Sequence, residues 1–542
     1  MEPLRQQPND GGSKIWVALF AAVLIWLALV LSWEIRRPWI DGVDYNGAVW
    51  SQAAHNILRA GLTETAGGSS GFYFGPLPIP SWGYYLHHPP LLHLTITFLF
   101  AILGEHEWVA RLVPIGCSLA SVVILWLLVR SCAGARTATL SAAVFASLPM
   151  QLTYGSMVNF EPCVLMLMLA ALLCLRWHHL SGETKWKYGA LGLILVGLWV
   201  DWAMYLFVVA LCACWLLRSK GGDRRFAAII FLSTLVSGAL YLLRIRLLRP
   251  DAWQSLSDAF MVRLGTGKGG YFTEAQWLTR MGETLATYFL PVGLILGAIG
   301  AAVLWRARSR EGFQWLWRAS LVIVVMDLLF VGLFQNVSYI HQYSAFYFLA
   351  PLSIAAGIAL DRLITAFQPA ATPRLFRRLA ELSVCLMLVA LATAGLDRTQ
   401  ALTGQFRILD YHTDEPPGLI PELGNAIRAN FSADTRILCN FLPDYGPHLA
   451  YYAKRDILNN LSEYRFWDPY LNDASKPIGG VVWLSSNPSS QNILAKLPAS
   501  GTKQFLTVGD HTFCLWKPGE GSQTTAANAG GSSLPIASAP SP

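Results

Sequence analysis

Apolar runs of about 20 residues recur along most of the chain, and this repetition constrains the fold more than any other feature. Only 13% of the 542 residues are charged and 54% are hydrophobic, whereas a soluble domain has about 25% charged residues. Helices cross a bilayer because they satisfy their backbone hydrogen bonds internally. The sequence therefore predicts a polytopic α-helical membrane protein with about 11 transmembrane helices. The predicted spans are Ile15–Ile35, Leu112–Val129, Thr137–Tyr154, Cys163–Leu175, Tyr188–Val200, Ala203–Leu217, Phe226–Leu243, Phe289–Trp305, Leu321–Phe334, Tyr343–Leu360 and Leu379–Leu396.

Charge in the connecting loops predicts the topology. Five loops are basic: VRSCAGAR, RWHHLSGETKWK, RSKGGDRR, WRARSREGFQWLWR and DRLITAFQPAATPRLFRR. The alternate loops, such as GSMVNFEP and QNVSYIHQY, contain no Lys or Arg, so the positive-inside rule places the basic loops in the cytoplasm. This alternation requires that the apolar run Pro89–Leu103 does not cross, and we predict a re-entrant or surface-lying helix there. Because these loops account for much of the net charge of +7, no nucleic-acid partner is predicted.

The two ends of the chain differ from the apolar middle. Residues 1–14 are predicted to be a disordered cytoplasmic segment before a retained anchor, because Ile15–Ile35 is too long for a signal peptide and lacks its cleavage site. Residues 397–518 are predicted to form an extracytoplasmic α/β domain, with strand-like runs TRILCNF, GGVVWLS, KQFLTVG and TFCLWK. Cys439 and Cys514 fall in these strands, either as a disulfide or as free thiols. The Gly/Ser/Ala/Pro-rich tail, 519–542, is predicted to be disordered.

Acidic residues at the outer ends of spans suggest a polar site within the predicted membrane domain, residues 15–396. Asp41 and Asp44 lie in the first outer loop, residues 36–111. Glu161 and Asp201 lie in the next outer loops, and such side chains are costly there unless they line a polar cavity. The alternatives are a solvated loop for Asp41 and a helix N-cap for Asp44.

Basic residues on the same side could hold an anion. Arg263, Lys268 and Arg280 lie in MVRLGTGKGGYFTEAQWLTR, which is glycine-rich but lacks the spacing of a P-loop. His341 precedes Tyr343 at the outer start of a span. The alternatives are a solvated basic loop for the first three residues and an interfacial packing position for His341.

A His-His-Pro-Pro segment adds two imidazoles. Because prolines fix an extended entry and then a helix start, they would hold His87 and His88 at the mouth of the predicted cavity, or simply form a rigid turn. Glu107 and Arg111, at i and i+4, are predicted to form an ion pair within a helix. Asp327 lies deep in a span and is predicted to pack against a polar partner.

These motifs resemble a known superfamily. A span, an Asp-containing loop, His-Pro-Pro-Leu (88–91) and Gly-x-x-Glu-x-x-x-Arg (104–111) are similar to the GT-C membrane glycosyltransferases, and closest to the group of protein O-mannosyltransferases and lipid A aminoarabinose transferases. The resemblance covers roughly the first 360 residues. It implies an inverting transferase in a membrane, with the bacterial inner membrane expected.

The resemblance also implies residue roles. Asp44 falls on the catalytic Asp of the first outer loop, with Asp41 beside it, and His88 falls on the cation before Pro-Pro. Glu161 falls on a later acidic position, and His341 with Tyr343 on a His-x-Tyr before a late span. Two departures affect the sugar and the acceptor, because a Tyr follows Asp44 where the family has Glu, and the cation is His rather than Lys.

The predicted function is transfer of a sugar from a polyprenyl-phosphate-linked donor to an extracytoplasmic lipid, glycan or protein. Asp44 and Asp41 are the predicted catalytic carboxylates. The predicted donor-phosphate and substrate-binding residues are His87, His88, Glu161, Asp201, Arg263, Lys268, Arg280, His341 and Tyr343. No cofactor is predicted; a divalent metal is compatible with the reaction but not indicated by the sequence. The alternatives are a transporter or flippase of lipid-linked sugars and a non-catalytic envelope assembly protein.

Overall fold

A computed structural model describes residues 11–40, 42–214, 222–265, 272–367, 374–405, 418–433, 435–439, 446–458, 478–486, 497 and 499–519. Asp41, Lys268, the first ten residues and residues 520–542 lie outside these ranges, so the predictions made for them are not addressed. The chain divides into two compact units, one of residues 1–72 and 78–412, the other of residues 73–77 and 413–542.

The first unit is helical. Its helices are α1 (Gly11–Ser32), α2 (Tyr45–Ala60), α3 (Leu62–Thr65), α4 (Leu91–Leu103), α5 (Glu107–Ala133), α6 (Ala135–Ser147), α7 (Pro149–Tyr154), α8 (Phe160–Ser181), α9 (Lys185–Leu198), α10 (Ala203–Cys214), α11 (Gly222–Leu248), α12 (Ala252–Arg263), α13 (Glu274–Phe289), α14 (Pro291–Arg306), α15 (Glu311–Leu333), α16 (Gln335–Ile340), α17 (Leu349–Ala366) and α18 (Arg374–Gln405). Short 3-10 segments occupy Gly42–Asp44, Ser81–Gly83 and Gln342–Phe348.

The predicted class of fold, a polytopic helical membrane protein, is confirmed. Within the described residues, seven helices are long and apolar enough to cross a membrane, or eight if the bent pair α13–α14 forms one span. The predicted number of about 11 spans remains a prediction. Helix α4 has 13 residues, about 20 Å at 1.5 Å per residue, which is shorter than the hydrocarbon core and is compatible with the prediction that it does not cross.

Burial separates central from peripheral helices. The apolar windows of α8 and of the span that includes α17 are 83% and 89% buried, whereas those of α1 and α18 are each 17% buried. Helices α1 and α18 therefore present most of their apolar surface outward, where lipid would cover it. Close packing also depends on small residues, since Gly297 and Gly300 of α14 lie directly against Leu352 and Ala355 of α17.

Two predicted runs are broken. Thr137–Tyr154 is divided into α6 and α7 at Leu148, whose extended backbone precedes Pro149, as expected because proline disfavours the helical region in the residue before it. The span predicted at Phe289–Trp305 begins after a 94° bend between α13 and α14. Leu290 forms that bend with a left-handed φ of 58°.

The second unit contains the predicted small sheet, which is confirmed. Its elements are α19 (Leu419–Asn430), β1 (Arg436–Cys439), α20 (Gly446–Ala453), β2 (Asp456–Leu458), β3 (Ile478–Leu484), β4 (Thr502–Val508) and β5 (His511–Lys517). The strand order is β2-β1-β3-β5-β4; β1 is parallel to β2 and β3, and β5 is antiparallel to β3 and β4.

Cys439 and Cys514 are not joined by a disulfide, so that alternative is wrong. Strand β3 lies between their strands, and adjacent strands are about 4.8 Å apart. In addition, Cys439 packs in the cluster of α19 and Phe513, whereas Cys514 packs with Leu438 and Trp516. Because neighbouring residues of a strand point to opposite faces, the two thiols lie on opposite sides of the sheet.

Candidate active site

Three hydrogen bonds fix the His-His-Pro-Pro segment and the start of α4 to the turn between α9 and α10 and to α11. The indole Nε1 of Trp202 donates to the carbonyl of His87 at 2.7 Å, and the hydroxyl of Tyr241 donates to the carbonyl of His88 at 2.9 Å. The amide of Leu91, at the start of α4, donates to the carbonyl of Trp199 at 2.9 Å. The segment is thus fixed against the ends of α9, α10 and α11, which positions both imidazoles.

His88 joins a carboxylate to a guanidinium. Its Nδ1 atom is 2.9 Å from Oδ1 of Asp201, and its Nε2 atom is 3.3 Å from a guanidinium nitrogen of Arg263. Because a guanidinium can only donate, Nε2 must accept, and the ring proton therefore lies on Nδ1 and is donated to Asp201. Tyr85 is also 3.3 Å from the same nitrogen of Arg263. Asp201, His88 and Arg263 therefore form a hydrogen-bonded chain that leads from a carboxylate to a guanidinium.

The electrostatics of the segment favour neutral imidazoles. Burial lowers the pKa of His88, while the hydrogen bond with Asp201 opposes this change and Arg263 adds to it. Burial and then Arg263 lower the pKa of His87 to about 3. His87 Nε2 is 2.9 Å from the hydroxyl of Ser255 on α12. Neither imidazole is therefore a cation at neutral pH, and the positive charge at this point belongs to Arg263.

Glu161 lies beside this chain at the start of α8. Glu161 is 5% exposed. Within the described part of the protein, its Oε2 atom has no hydrogen-bond partner. The preceding Phe160 stacks on the ring of His88, with centroids 4.6 Å apart. Glu161 also interacts electrostatically with Asp201. The start of α8 therefore brings an unpartnered carboxylate oxygen next to the His88 chain.

One face of α2 completes this cluster. Asn46 forms a hydrogen bond with the phenol of Tyr343. Trp50, one turn later, lies 6.1 Å from His88 and 5.0 Å from Phe160 between ring centroids. Residues at i and i+4 share a helix face, so this face of α2 closes the cluster opposite α8. Neither Asn46 nor Trp50 was singled out from the sequence, although their spacing next to Asp44 was a signal.

Asp44 points to a different set of partners. It is 5% exposed and occupies the N-cap position of α2, but its side chain makes no capping hydrogen bond. Instead, Oδ1 lies 2.8 Å from Arg111 and Oδ2 lies 3.2 Å from Arg37. Asp44 is therefore neither in bulk solvent nor a cap. The sequence predicted an ion pair between Arg111 and Glu107. The structure shows an ion pair between Arg111 and Asp44, which the sequence did not reveal.

The other predicted residues lie around this centre. His341 stacks on Tyr343 with centroids 4.9 Å apart, and burial followed by Arg263 lowers the pKa of His341 to about 4. Arg280 donates to the carbonyl of Tyr339 at 3.4 Å and interacts with Tyr154. Asp327 is buried in α15, where its Oδ1 atom has no hydrogen-bond partner among the described residues but its carboxyl group interacts electrostatically with the phenol of Tyr347.

Within the described part of the chain, no group of three or more His, Cys, Asp or Glu residues is arranged to hold a metal ion. The arrangement supplies one guanidinium, two carboxylates, two neutral imidazoles and a phenol, of which the carboxylates are buried and the others are partly buried. Such groups can bind an anion and move a proton.

Comparisons with known proteins identify a family model and solved structures that this chain resembles. Residues 87–245 match the family model described as dolichyl-phosphate-mannose-protein mannosyltransferase. The fold is similar to that of ArnT from Cupriavidus metallidurans bound to undecaprenyl phosphate, with a TM-score of 0.60 and 15% identity over 95% of this chain and 100% of that one. A search of curated proteins by sequence finds no match.

Two further solved structures share the fold. The oligosaccharyltransferase AglB from Archaeoglobus fulgidus, in complex with an inhibitory peptide and a dolichol-phosphate, has a TM-score of 0.53 and 14% identity over 95% of this chain and 75% of that one. The arabinofuranosyltransferase AftD from Mycobacteria has a TM-score of 0.50 and 13% identity over 93% of this chain and 40% of that one.

The GT-C resemblance is therefore confirmed, and the chain has the fold of the GT-C membrane glycosyltransferases. The match over residues 87–245 and the shared fold both make membrane glycosyltransferases the proteins that this chain is similar to.

Proposed function

We propose that this protein is a membrane glycosyltransferase that transfers a sugar from a polyprenyl-phosphate-linked donor to an acceptor on the outer side of the membrane, with inversion. The observation that carries the proposal is the chain Asp201–His88–Arg263, which fixes a guanidinium at one end and a carboxylate at the other. Glu161, which has an unpartnered carboxylate oxygen among the described residues, interacts with the Asp201 end of this chain. The carriers bound to ArnT and AglB, undecaprenyl phosphate and dolichol-phosphate, support a donor of this class.

Arg263 is the proposed ligand of the donor phosphate. A planar guanidinium matches phosphate geometry, and it stabilises the negative charge that develops on the leaving phosphate. His88 and Tyr85 hold this side chain, while the neutral His87 can donate or accept a hydrogen bond but adds no charge. Arg280, His341 and Lys268 remain proposed contributors to substrate binding.

Two carboxylates compete for the proton of the acceptor. Asp44 is the candidate from the superfamily resemblance, but both of its oxygens contact guanidinium groups, so protonation would break an ion pair. Glu161 is the candidate from geometry, because its Oε2 atom is buried and unpartnered. We favour Glu161 as proton acceptor and assign Asp44 to orienting the outer loop around the acceptor; Asp41 remains an untested second carboxylate.

The localisation follows the same proposal. We place the protein in a bacterial inner membrane with its N-terminus in the cytoplasm and its α/β domain outside, based on the basic loops. The acceptor is then an extracytoplasmic lipid, glycan or protein.

The test is mass spectrometry of intact lipids and glycans from cells that lack the protein, followed by complementation. The wild-type chain should restore one defined missing sugar, whereas Glu161→Gln and Arg263→Gln should not, although both variants reach the membrane in normal amounts. Asp44→Asn measures the competing assignment. A flippase or an assembly protein would tolerate Glu161→Gln, and full restoration by that variant together with Asp44→Asn would refute the proposal.

A further inference from the structure

A polar cavity that is open to the surface lies at the start of α15, away from the candidate active site. It has a volume of about 420 Å³ and forms where α14 ends and α15 begins, within the range of about 300–1,000 Å³ that is usual for small-molecule sites. The residues that line it are Arg306, Arg308, Ser309, Gln314, Trp317 and Arg318. The loop that contains it is one of the basic loops predicted to be cytoplasmic.

The charge of this cavity is uncompensated. None of its six lining residues is acidic. Glu311, the carboxylate nearest in the chain, turns to α8, where it lies 3.4 Å from Arg176 and 3.5 Å from His179. Among the described residues, Arg306 and Arg318 form no ion pair with a carboxylate. Three guanidinium groups, a hydroxyl and a carboxamide therefore converge without an anion.

Aromatic rings give the cavity a fixed wall. The guanidinium of Arg308 lies 3.6 Å from the ring centroid of Trp305, and Trp305 packs edge-to-face on Trp317 at 5.0 Å. Nη1 of Arg308 also donates to the carbonyl of Trp305 at 2.7 Å. Stacking on tryptophan and this hydrogen bond hold the guanidinium in place, and its remaining N–H groups can donate to a ligand. Tryptophan and arginine at a helix end are also typical of the membrane–water interface.

The surface next to the cavity indicates which anion would bind. On α14, Ile295 is 60% exposed and Ile299 is 53% exposed, and Arg306 continues the same exposed stripe at the end of the helix. The opposite side of α14 packs on α17 through Gly297 and Gly300. A phospholipid whose acyl chain lies along the isoleucine stripe would have its headgroup at the arginines. A free phosphate ion would make no contact with the isoleucines.

We propose that this cavity is a binding site for the phosphate headgroup of an anionic membrane phospholipid. The guanidinium groups of Arg306 and Arg318 contact the phosphate oxygens, and Ser309 and Gln314 donate to the glycerol or phosphate oxygens. The site is separate from the candidate active site and does not depend on the reaction proposed there. Basic pockets between membrane helices are known to take such headgroups.

The test is native mass spectrometry of the whole protein titrated with phosphatidylglycerol or phosphatidylcholine. Wild-type protein should retain phosphatidylglycerol in preference to phosphatidylcholine. Arg306→Gln and Arg318→Gln should each weaken phosphatidylglycerol binding by about tenfold or more, as for loss of a charge-assisted hydrogen bond. Arg318→Lys keeps the charge but not the forked geometry, so it should lie between these values.

Arg225→Gln is the matched control, because it removes one exposed arginine from the start of α11, outside the cavity. It should change binding by less than about twofold. Equal weakening by Arg225→Gln would show that surface charge alone attracts the lipid and would overturn the site. Thermal unfolding of the detergent-solubilised protein separates the lipid from its headgroup. If inorganic phosphate stabilises the protein as much as phosphatidylglycerol does, the lipid assignment is overturned. If Arg318→Gln fails to fold, the exposed Arg306→Gln still decides the outcome.

Discussion

A guanidinium nitrogen of Arg111 lies 2.8 Å from the carboxylate of Asp44, and each side chain is only 6% exposed. Arg111 also donates to the carbonyl of Ile35 at 3.0 Å and lies 4.2 Å from the ring centroid of Trp39. This one side chain therefore connects α5 to the end of α1 and to the start of α2, and it fixes where the first outer loop begins.

Arg111→Met should lower the free energy of unfolding by up to about 3–5 kcal/mol, because it leaves the buried Asp44 carboxylate with the partly exposed Arg37 as its counter-charge. Unfolding in mixed detergent micelles measures this loss. Arg130→Met, near the other end of α5, is the control: Arg130 is exposed and stacks on Trp126 at 4.8 Å, so its loss should cost about 1 kcal/mol or less. Equal costs for the two variants would show that the Asp44 ion pair is not important for stability.

Asp201→Asn should lower turnover by about 10- to 100-fold. An amide can donate to Nδ1 of His88 and thereby stabilise the tautomer with its proton on Nε2, which would repel Arg263. Because Arg263 would be displaced, the donor KM should rise as kcat falls. Steady-state kinetics in proteoliposomes measures both.

Asp258→Asn is the control for that experiment. Asp258 lies on α12, as Arg263 does, and accepts a hydrogen bond from Gln254 at 2.8 Å on the exposed side. Its amide variant should keep normal kinetics. Normal donor KM in Asp201→Asn would contradict the positioning role of Asp201.

The stability of the protein should fall as pH is lowered below about 6.5. The folded state holds His87 neutral, with its pKa lowered from 6.5 to about 3, so the unfolded state binds more protons between these two values. Protonation of His87 in the unfolded state then lowers the free energy of unfolding by at most about 1.4 kcal/mol for each pH unit in this window. Thermal unfolding followed from neutral to acidic pH measures the loss.

His87→Gln tests the source of this pH dependence. Glutamine cannot titrate but can keep a hydrogen bond to Ser255, so the variant should lose less stability than the wild type on acidification. His341, with its pKa lowered to about 4, should supply part of the remaining dependence. An unchanged pH dependence in His87→Gln would contradict the assignment.

Gly300→Ala should destabilise the protein by about 1–3 kcal/mol, as overpacking does. A Cβ atom at Gly300 would lie 1.7 Å from the carbonyl oxygen of Ala355, so α14 and α17 must separate. Gly116→Ala, inside α5, meets nothing within 4 Å, and alanine should be neutral or stabilising there by up to about 1 kcal/mol. Unfolding in detergent compares the two, and a neutral Gly300→Ala would show that the helix contact adapts.

The sequence predicted the helical class well because hydrophobic length is a local signal. The same signal missed local breaks, since Thr137–Tyr154 and the segment around Leu290 read as continuous apolar sequence. A one-residue change of backbone direction leaves almost no trace in hydropathy. The strands were predicted because their alternation and turns are local too, whereas the separation of Cys439 from Cys514 depends on strand order.

The sequence singled out several residues of the candidate site but not how they pair. His88, Asp201 and Arg263 were each expected on the outer side. In the sequence, however, Asp201 lies 113 residues and Arg263 lies 175 residues after His88, so the sequence does not display these contacts. Arg111 was assigned to Glu107 because i and i+4 neighbours are the contacts that a sequence displays. Its contact with Asp44 spans 67 residues, and it depends on how α2 packs beside α5.

The placement of Cys439 and Cys514 on opposite faces of the C-terminal sheet has a practical consequence. These are the two cysteines of residues 397–518, so this segment needs no thiol oxidation to reach its native state. Reductant added during purification will therefore break no covalent bond between the strands of this sheet.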